Sequence, residues 1–133
     1  MTTLSRPAPP ITARTGEFWR AGATGVLRIA RCQSCGWRLH PPRPICPKCL
    51  GRMIEFEPVS GRGRVYSFTI NRYRWSPALT PPYVVAEIEL EEQEGLRLLS
   101  NVVGCAPEDV YIGMPVGVRF EQAEQTWIPV FQP

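Results

Sequence analysis

The sequence contains no long hydrophobic run. No segment reaches the roughly 18 consecutive apolar residues that a membrane-spanning helix requires. Residues 1–10 carry no apolar core of the kind found in signal peptides. We therefore expect neither a membrane span nor secretion, and we predict that the protein is cytoplasmic.

A recognisable set of catalytic side chains is also absent. Enzymes need a nucleophile beside a base, paired carboxylates with separated pKa values, or a metal with an open position. His40, the only histidine, has no adjacent carboxylate to orient its ring as a base. Cys105 lies among Val102, Val103 and Ala106, and such apolar neighbours suit a buried side chain better than an activated thiolate. We predict that the chain carries no catalytic residue of its own.

Proline and glycine, by contrast, are abundant. The 133 residues include 15 prolines and 11 glycines, with 44% hydrophobic and 20% charged residues. This mixture favours short strands joined by many turns over long helices. The length is that of one ordinary domain, although a bound metal could let the chain divide into a modest core and a small appendage. We predict a mostly β protein.

Four of the five cysteines form two short pairs. Cys32 and Cys35 stand three positions apart, as do Cys46 and Cys49, and ten residues separate the pairs. Two such knuckles can place four thiolates around one tetrahedral Zn²⁺ ion. A filled shell leaves no open position for substrate and no place for His40, so we predict a structural zinc ion. Disulfides are the alternative, but they need an oxidising compartment, which nothing in the sequence indicates.

Charge is distributed unevenly between the two halves. Residues 1–57 contain nine Lys or Arg and three acids, whereas residues 58–133 contain six basic residues and nine acids. Four thiolates and one Zn²⁺ ion would add a net charge of about −2 to the first half. The remaining positive excess is weak for a nucleic-acid-binding face, and we interpret it as an arginine-rich, solubilising surface.

The first half contains an arm, a short helix and the cysteine ribbon. Residues 1–14 are rich in proline and show little apolar periodicity, which is typical of an extended arm. The segment Thr15–Ala21 has a Thr in the N-cap position and an acid near its start, and it predicts a short helix. Alternating residues predict one strand at 27–31, which enters the first knuckle, and another at 53–57, which leaves the second. We assign the helix and ribbon together to residues 15–57.

The second half alternates between strands and turns. The patterns predict five strands, at residues 64–71, 83–90, 96–103, 116–121 and 126–131. In the first of these strands, Val65 falls on one face, and Tyr66 and Phe68 fall on the other. The segment Pro107–Val110, after the third strand, predicts one helical turn. Five strands with a helical turn between the third and the fourth are the plan of an OB-fold barrel, so we assign residues 58–133 to an OB-fold domain.

Aromatic side chains are concentrated near turns. The long segment Arg72–Pro82 joins the first two barrel strands, where OB barrels carry a ligand-binding loop, and it contains Tyr73 and Trp75. Trp37 and Trp127 also lie near knuckles or turns. Aromatic residues beside arginines make good interface anchors. We therefore expect this set of side chains to contact a partner.

Several stretches occur together along most of the chain, from about Glu17 to Val116. They are Glu17-Phe18-Trp19, Leu27 to Cys35, His40-Pro41-Pro42-Arg43, Cys46-Pro47-Lys48-Cys49, Ser60 to Ser67, Pro81 to Ala86 and Gly113 to Val116. With these stretches the chain resembles the small zinc-ribbon plus OB-fold accessory proteins of thiolase-like and aldolase enzymes that act on acyl-CoA. The resemblance implies a short N-terminal helix and a rubredoxin-like zinc ribbon, followed by a five-stranded OB-fold barrel.

The resemblance also implies a heteromeric complex in which a thiolase-fold partner supplies the nucleophile and the acid-base groups. The small subunit would stabilise the partner and help to form the entrance for CoA and the acyl group, in lipid, steroid or aromatic acid metabolism. Arg72 and Arg74 are candidates for phosphate contact, because guanidinium groups bind phosphate oxygens in pairs. Tyr73, Trp75 and Tyr83 are candidates for lining the path of the acyl-pantetheine arm.

Two other functions remain open at this point. Zinc ribbons and OB barrels also bind single-stranded nucleic acid, which requires aromatic and basic residues on the second and third barrel strands. That region instead carries five acids, which would repel a phosphate backbone: Glu87, Glu89, Glu91, Glu92 and Glu94. A free-standing acyl-CoA carrier without an enzyme partner is the third hypothesis, and the aromatic surplus argues against it.

Overall fold

The computed structural model describes residues 6–133, so the first five residues of the predicted arm lie outside the described residues. The described chain forms one short helix, α1 at Gly16–Arg20, and two β-sheets. The strands are β1 Arg28–Cys32, β2 Arg38–Leu39, β3 Ile54–Pro58, β4 Arg62–Asn71, β5 Tyr83–Leu90, β6 Arg97–Val102, β7 Pro115–Ala123 and β8 Thr126–Gln132. The predicted mostly β class is confirmed.

The helix begins without the predicted side-chain cap. Thr15 occupies the N-cap position, but its hydroxyl makes no capping hydrogen bond. It bonds instead with the hydroxyl of Thr12 at 2.9 Å and accepts from the Thr12 backbone N–H at 3.2 Å. The capping prediction was therefore wrong, because a neighbouring threonine in the preceding turn takes the hydroxyl. A single 3₁₀ turn, Ala21–Thr24, continues the helix and ends at Gly25.

The first sheet has three antiparallel strands in the order β2-β1-β3. Its central strand ends on a knuckle cysteine, since Cys32 pairs with Ile54 of β3 at the last register position. β2 is only two residues long and pairs with β1 through Leu39 and Ala30. The sequence patterns predicted β1 and β3 but not β2, because two residues are too few to show any alternation.

The second sheet is a closed barrel in the order β4-β5-β6-β8-β7. Antiparallel pairing of β4 with β7 completes the closure. The only parallel contact among the described barrel strands joins β6 to β8 at Val102 and Phe131. A 3₁₀ turn at Pro107–Asp109 lies between β6 and β7. This arrangement confirms the OB-fold prediction, including the helical turn after the third barrel strand.

The predicted faces of β4 were wrong beyond its middle. The pairing register shifts between Val65 and Ser67, which leaves Tyr66 without a partner in β5. Such a bulge reverses the alternation. Val65 is buried, and past the bulge it is Phe68 that turns toward the core, while Tyr66 is exposed. Tyr66 faces outward, where the guanidinium of Arg97 lies 3.7 Å from its ring centroid.

One hydrophobic cluster extends from the helix and ribbon into the barrel. Phe18 of α1 and Leu27 and Ile29 at the base of the ribbon belong to the same buried cluster as the barrel residues Ile88 and Phe131. Ile29 is 1% exposed and Phe131 is fully buried. The ribbon base is therefore anchored in the core of the barrel.

A polar contact joins the outer part of the ribbon to the barrel. The Gln93 side-chain amide, in the turn between β5 and β6, accepts a hydrogen bond from the Arg38 backbone N–H at 2.8 Å. It also donates one to the Arg38 carbonyl at 2.8 Å. The amide thus acts as a short strand partner for β2, and it fixes the ribbon against this end of the barrel.

Candidate functional site

The four paired cysteines converge on one point. Their four Sγ atoms all lie within 4.8 Å of one another. Cys32 and Cys49 are 3.5 Å apart at sulfur, and Cys35 and Cys46 are 3.6 Å apart. A tetrahedral zinc ion with bonds of roughly 2.3 Å holds its sulfurs about 3.8 Å apart, whereas a disulfide bond is only about 2 Å long. The set therefore fits a zinc ion, and all five cysteines of residues 6–133 are free thiols.

Two matching turns build this cluster. The Gly36 N–H donates to the Cys32 carbonyl, and the Leu50 N–H donates to the Cys46 carbonyl, both at 2.9 Å. The residue after each pair has a left-handed backbone, with φ of 81° at Gly36 and 66° at Leu50. Leucine rarely adopts this conformation. At this position the second knuckle has an exposed leucine, whereas the first knuckle has a glycine.

Backbone N–H groups point at the sulfurs. Those of Lys48 and Gly51 donate to Cys46 at 3.4 Å and to Cys49 at 3.3 Å. A hydrogen bond from the Cys35 backbone is the main reason that the pKa of Cys32 falls to about 6. The Gly51 N–H also lowers the pKa of Cys49, but the adjacent sulfurs of Cys32 and Cys35 outweigh it and raise that pKa to about 12.

Negative charge on all four sulfurs would be strongly self-repelling. Four sulfurs in contact cannot all carry negative charge unless a cation lies between them. A divalent ion such as Zn²⁺ supplies that charge and uses all four sulfurs as ligands. Cys32 and Cys46 are buried, whereas Cys35 and Cys49 face solvent. The cluster can thus hold a metal that joins the end of β1 to the second knuckle.

The predicted CoA contacts lie together on the loop between β4 and β5. The rings of Tyr73 and Trp75 are 4.5 Å apart and exposed by 65% and 72%. The guanidinium of Arg72 is 3.7 Å from the carboxylate of Glu108, and Arg74 donates to the Pro77 carbonyl at 3.3 Å. The structure thus brings two aromatic rings and two exposed arginines to one end of the barrel.

Tyr83 differs from the other four predicted contacts. It is the first residue of β5, is half-buried, and pairs with Asn71 in the sheet. The Asn71 side chain accepts a hydrogen bond from the Trp75 indole at 2.7 Å. Tyr83 is therefore held at the base of the loop, while the indole is fixed above the strand end.

Cys105, Trp37 and Trp127 lie outside the loop between β4 and β5. Burial, together with the nearby Asp109, raises the pKa of Cys105, so this thiol is not activated. It is half-buried and packs against the hydrophobic cluster. Trp37 is half-buried, and the ammonium of Lys48 lies 4.2 Å from its ring centroid. Trp127 is half-buried on β8.

The barrel face needed for nucleic-acid binding is acidic and partly covered. Two of its glutamates are in ion pairs, Glu87 with Arg97 at 3.6 Å and Glu91 with Arg62 at 2.7 Å. Part of the outer face of β5 and β6 lies beneath α1 and the segment 40–42, across a cavity. Neither feature suits a strand of phosphates with stacked bases.

That cavity has a volume of about 320 Å³, and its importance was missed by sequence reasoning. Phe18 and Trp19 of α1 line it together with His40 and two prolines that follow it. These residues belong to two of the stretches that stand out in the sequence, but residues more than 20 positions apart show no local pattern of contact. Only the packing of the ribbon on the barrel brings them together.

Comparisons with known proteins agree with this architecture. The rubredoxin-like zinc ribbon domain of ChsH2 matches residues 19–57, and the C-terminal OB-fold domain of ChsH2 matches residues 56–121. The chain belongs to the ChsH2 zinc-ribbon and OB-fold family. The resemblance that the sequence motifs indicated is therefore confirmed.

Relatives within the ChsH2 family differ in length and context. A probable enoyl-CoA hydratase alpha subunit of Thermomonospora curvata is 41% identical over 130 residues, which are 96% of this chain but 40% of that protein. The chain thus spans less than half the length of this relative. A DUF35 domain-containing scaffold protein of Methanocaldococcus jannaschii is 44% identical over 98 residues, covering 71% of this chain and 67% of the relative.

A solved structure and a thiolase subunit extend the comparison. The chain described as Ltp2-ChsH2(DUF35) aldolase matches with a TM-score of 0.85 at 37% identity, covering 95% of this chain and 98% of that one. The benzoylsuccinyl-CoA thiolase subunit BbsA of Thauera aromatica is 33% identical over 100 residues, which are 73% of this chain and 67% of that subunit. Among residues 6–133, no helix of this ChsH2-family chain is both long and apolar enough to cross a membrane.

Proposed function

We propose that this chain is a noncatalytic accessory subunit of a thiolase-fold acyl-CoA enzyme that forms or cleaves carbon-carbon bonds. The observation that carries the proposal is the match to the chain described as Ltp2-ChsH2(DUF35) aldolase, because it extends over 98% of that chain. The BbsA subunits support a thiolase-type partner by the same reasoning. The partner would supply the nucleophile and the acid-base groups.

Two features of the chain support a noncatalytic role. The sulfur cluster offers four ligands to one ion, so a bound zinc ion would have a filled shell and would act structurally. The one thiol outside it, Cys105, has a raised pKa. Neither provides the reactive thiolate or the open metal position that acyl-transfer chemistry needs.

The loop between β4 and β5 is the proposed contribution to the CoA entrance. Tyr73 and Trp75 expose a paired aromatic surface, which suits a protein interface or a pantetheine arm. Arg72 and Arg74 lie beside them with largely exposed side chains and can reach phosphate oxygens. Tyr83 would form the base of this entrance.

Co-expression with a thiolase-like enzyme tests the proposal. We expect the two chains to co-purify as a complex whose thioester turnover depends on the small subunit, which alone leaves thioesters intact. Replacing Arg72 and Arg74 by Gln should raise the KM for acyl-CoA by roughly tenfold and leave the complex assembled. Arg64→Gln, at an exposed position on β4, is the matched control.

Each failure has a distinct meaning. A lack of co-purification, with turnover indifferent to this chain, contradicts the accessory role. If the complex forms but the double variant has the normal KM, the role of the loop in CoA binding is wrong and the accessory role stands. Acyl-CoA binding by the isolated chain, with native mass showing no partner, would instead support the free-standing carrier.

A further inference from the structure

The second knuckle of the ribbon has a strained backbone at Leu50. Its φ is 66°, a left-handed conformation in which a side chain crowds the backbone. The corresponding residue of the first knuckle is Gly36, with φ of 81°, and glycine adopts this conformation without steric cost. The same hydrogen bond, at 2.9 Å, holds both residues to the first cysteine of their knuckle. One knuckle therefore has the unstrained residue and the other does not.

The Leu50 side chain gains little burial in return for this strain. It is 73% exposed. Strained residues cluster at functional sites, where other contacts compensate for their cost. Because so little of Leu50 is buried among residues 6–133, we expect that compensation to come from contact with another molecule.

Two more apolar side chains of the second knuckle are exposed. Met53 is 65% exposed and Ile45 is 36% exposed. The Cys46 N–H donates to the Gly51 carbonyl at 2.8 Å, which closes the knuckle and brings its two ends together. Together with Leu50, these side chains form a small apolar patch, and exposed apolar patches with a polar rim are typical of protein interaction sites.

The rim of this patch is basic. Residues 43–53 contain Arg43, Lys48 and Arg52 and no acid. Among residues 6–133, neither Arg43 nor Arg52 has a carboxylate oxygen within 4.0 Å. Both guanidinium groups are thus available to pair with carboxylates of another molecule.

Negative charge beside the knuckle does not cancel this rim. Two acids, Glu17 and Glu55, line the adjacent groove, against four arginines. The thiolates of a bound zinc site would add about −2, but they also accept backbone hydrogen bonds from Lys48 and Gly51. The balance stays positive, so the knuckle is complementary to an apolar pocket edged by carboxylates.

We infer that the second knuckle inserts into such a pocket on the enzyme subunit of the proposed complex, with Leu50 as the central anchor. Burial of the leucine in the pocket would compensate for its strained backbone. Arg43 and Arg52 would pair with the carboxylates at the edge. This inference rests on the proposed function, because it assigns a contact surface of that complex. None of these residues belongs to the loop between β4 and β5.

Leu50→Gly tests the anchor through two opposite effects. The isolated variant should bind zinc about threefold more tightly, because glycine relieves the strain and zinc binding is coupled to folding of the knuckles. Competition with a chromophoric chelator measures this change. The co-expressed complex should dissociate at least about tenfold faster, because the anchor is lost. Exchange with labelled wild-type chain measures that rate.

Leu99→Ala is the matched control, since it truncates a leucine that is 70% exposed on the barrel. It should change neither the zinc affinity nor the dissociation rate. The rim is tested by replacing Arg43 and Arg52 with Glu, which should slow association by about tenfold at low salt and much less at high salt. Arg64→Glu, at an exposed position on β4, controls for the change of charge.

The possible failures are distinguishable. If the wild-type chain forms no complex with the thiolase-like enzyme, the proposed function and this inference are both wrong. If the complex forms but Leu50→Gly dissociates at the wild-type rate, the inference is wrong and the accessory role stands. Wild-type binding to vesicles of phosphatidylcholine and phosphatidylglycerol, or a native dimer of this chain, would also overturn the inference if Leu50→Gly abolished it, because the anchor would then contact a membrane or a second copy.

Discussion

The ribbon and the barrel are stabilised in different ways. In the barrel, five strands enclose a continuous buried cluster, and residues such as Ile88 and Phe131 have no exposed surface. The knuckles of the ribbon have little to bury, and Leu50 and Met53 near their tips are mostly exposed. Their apolar surface is too small to offset the entropy of ordering the chain. We therefore expect the knuckles to depend on a bound metal ion, whereas the barrel depends on the burial of apolar side chains.

Removing a metal ligand should have the largest effect. Structural zinc contributes about 10–16 kcal/mol of binding free energy in small zinc domains. We therefore expect Cys46→Ser to abolish tight zinc binding and to unfold the knuckles while the barrel stays folded. Zinc content and amide chemical-shift dispersion measure the two outcomes. Cys105→Ser should keep the zinc, and loss of the barrel signals in Cys46→Ser would show that the two regions fold as one.

Ile29 is an exception to this contrast between ribbon and barrel, since it belongs to a ribbon strand but is buried in the barrel cluster. Ile29→Ala should lower the free energy of unfolding by about 2–5 kcal/mol, because it leaves a cavity in a shared core. Urea denaturation followed by barrel signals measures this loss. Val26→Ala, at a residue 38% exposed, should cost far less. Equal effects of the two variants would contradict the shared core.

His40 lies where the two regions meet, and its titration reports on that contact. Its pKa of about 4 is below the ordinary value of 6.5, so the unfolded chain binds the proton first as pH falls. Above about pH 6.5 His40 is neutral in both states, and the free energy of unfolding is not reduced. As the pH falls toward 4, protonation of the unfolded chain lowers the free energy of unfolding, by about 2 kcal/mol at pH 5. Arg6, which is paired with Glu121, is the charged residue that lines the cavity beside His40.

The measurement is urea unfolding of the wild type and His40→Phe at pH 7.5 and 5.0. Zinc release in acid affects both proteins, so the difference between them isolates the histidine. Between pH 7.5 and 5.0 the free energy of unfolding should fall by about 2 kcal/mol more in the wild type than in the variant. Parallel losses would mean that the imidazole is not desolvated in the folded protein.

The Gln93 contact should give the smallest effect. Gln93→Ala removes both hydrogen bonds to the Arg38 backbone, and we expect a cost of about 1 kcal/mol, because Arg38 is only half-buried and water can replace part of the lost bonding. Faster hydrogen exchange at residue 38 measures the loosened contact between ribbon and barrel. Glu94→Ala, an exposed neighbour, is the control. If exchange at residue 38 is unchanged, the amide does not hold the ribbon in place.

Local patterns predicted the strands well where they stay regular. The strand predicted at residues 83–90 coincides with β5, because its alternation is uninterrupted. The strand predicted at 64–71 became β4, but the bulge at Tyr66 reversed its faces, and nothing in the sequence marks that point. The Thr15 cap failed for a similar reason, since Thr12 competes for its hydroxyl.

Two features were fixed by the residues alone. The cysteine spacing predicts a four-sulfur site because ligands three positions apart on a tight turn reach one ion without help from the rest of the chain. The strand order with its helical turn likewise predicts the OB barrel. The cysteine spacing and the order of strands and turns are both local patterns, which a sequence records directly, although closure of the barrel itself needs the long-range pairing of β4 with β7.

Only the tertiary structure decided how the ribbon meets the barrel. It placed Ile29 in the shared core, brought Gln93 to β2, and formed an open cavity between His40 and β6. These contacts join residues that are far apart in the chain, and each depends on the shape of two surfaces after both have formed. Packing of that kind leaves no periodic trace in a single sequence.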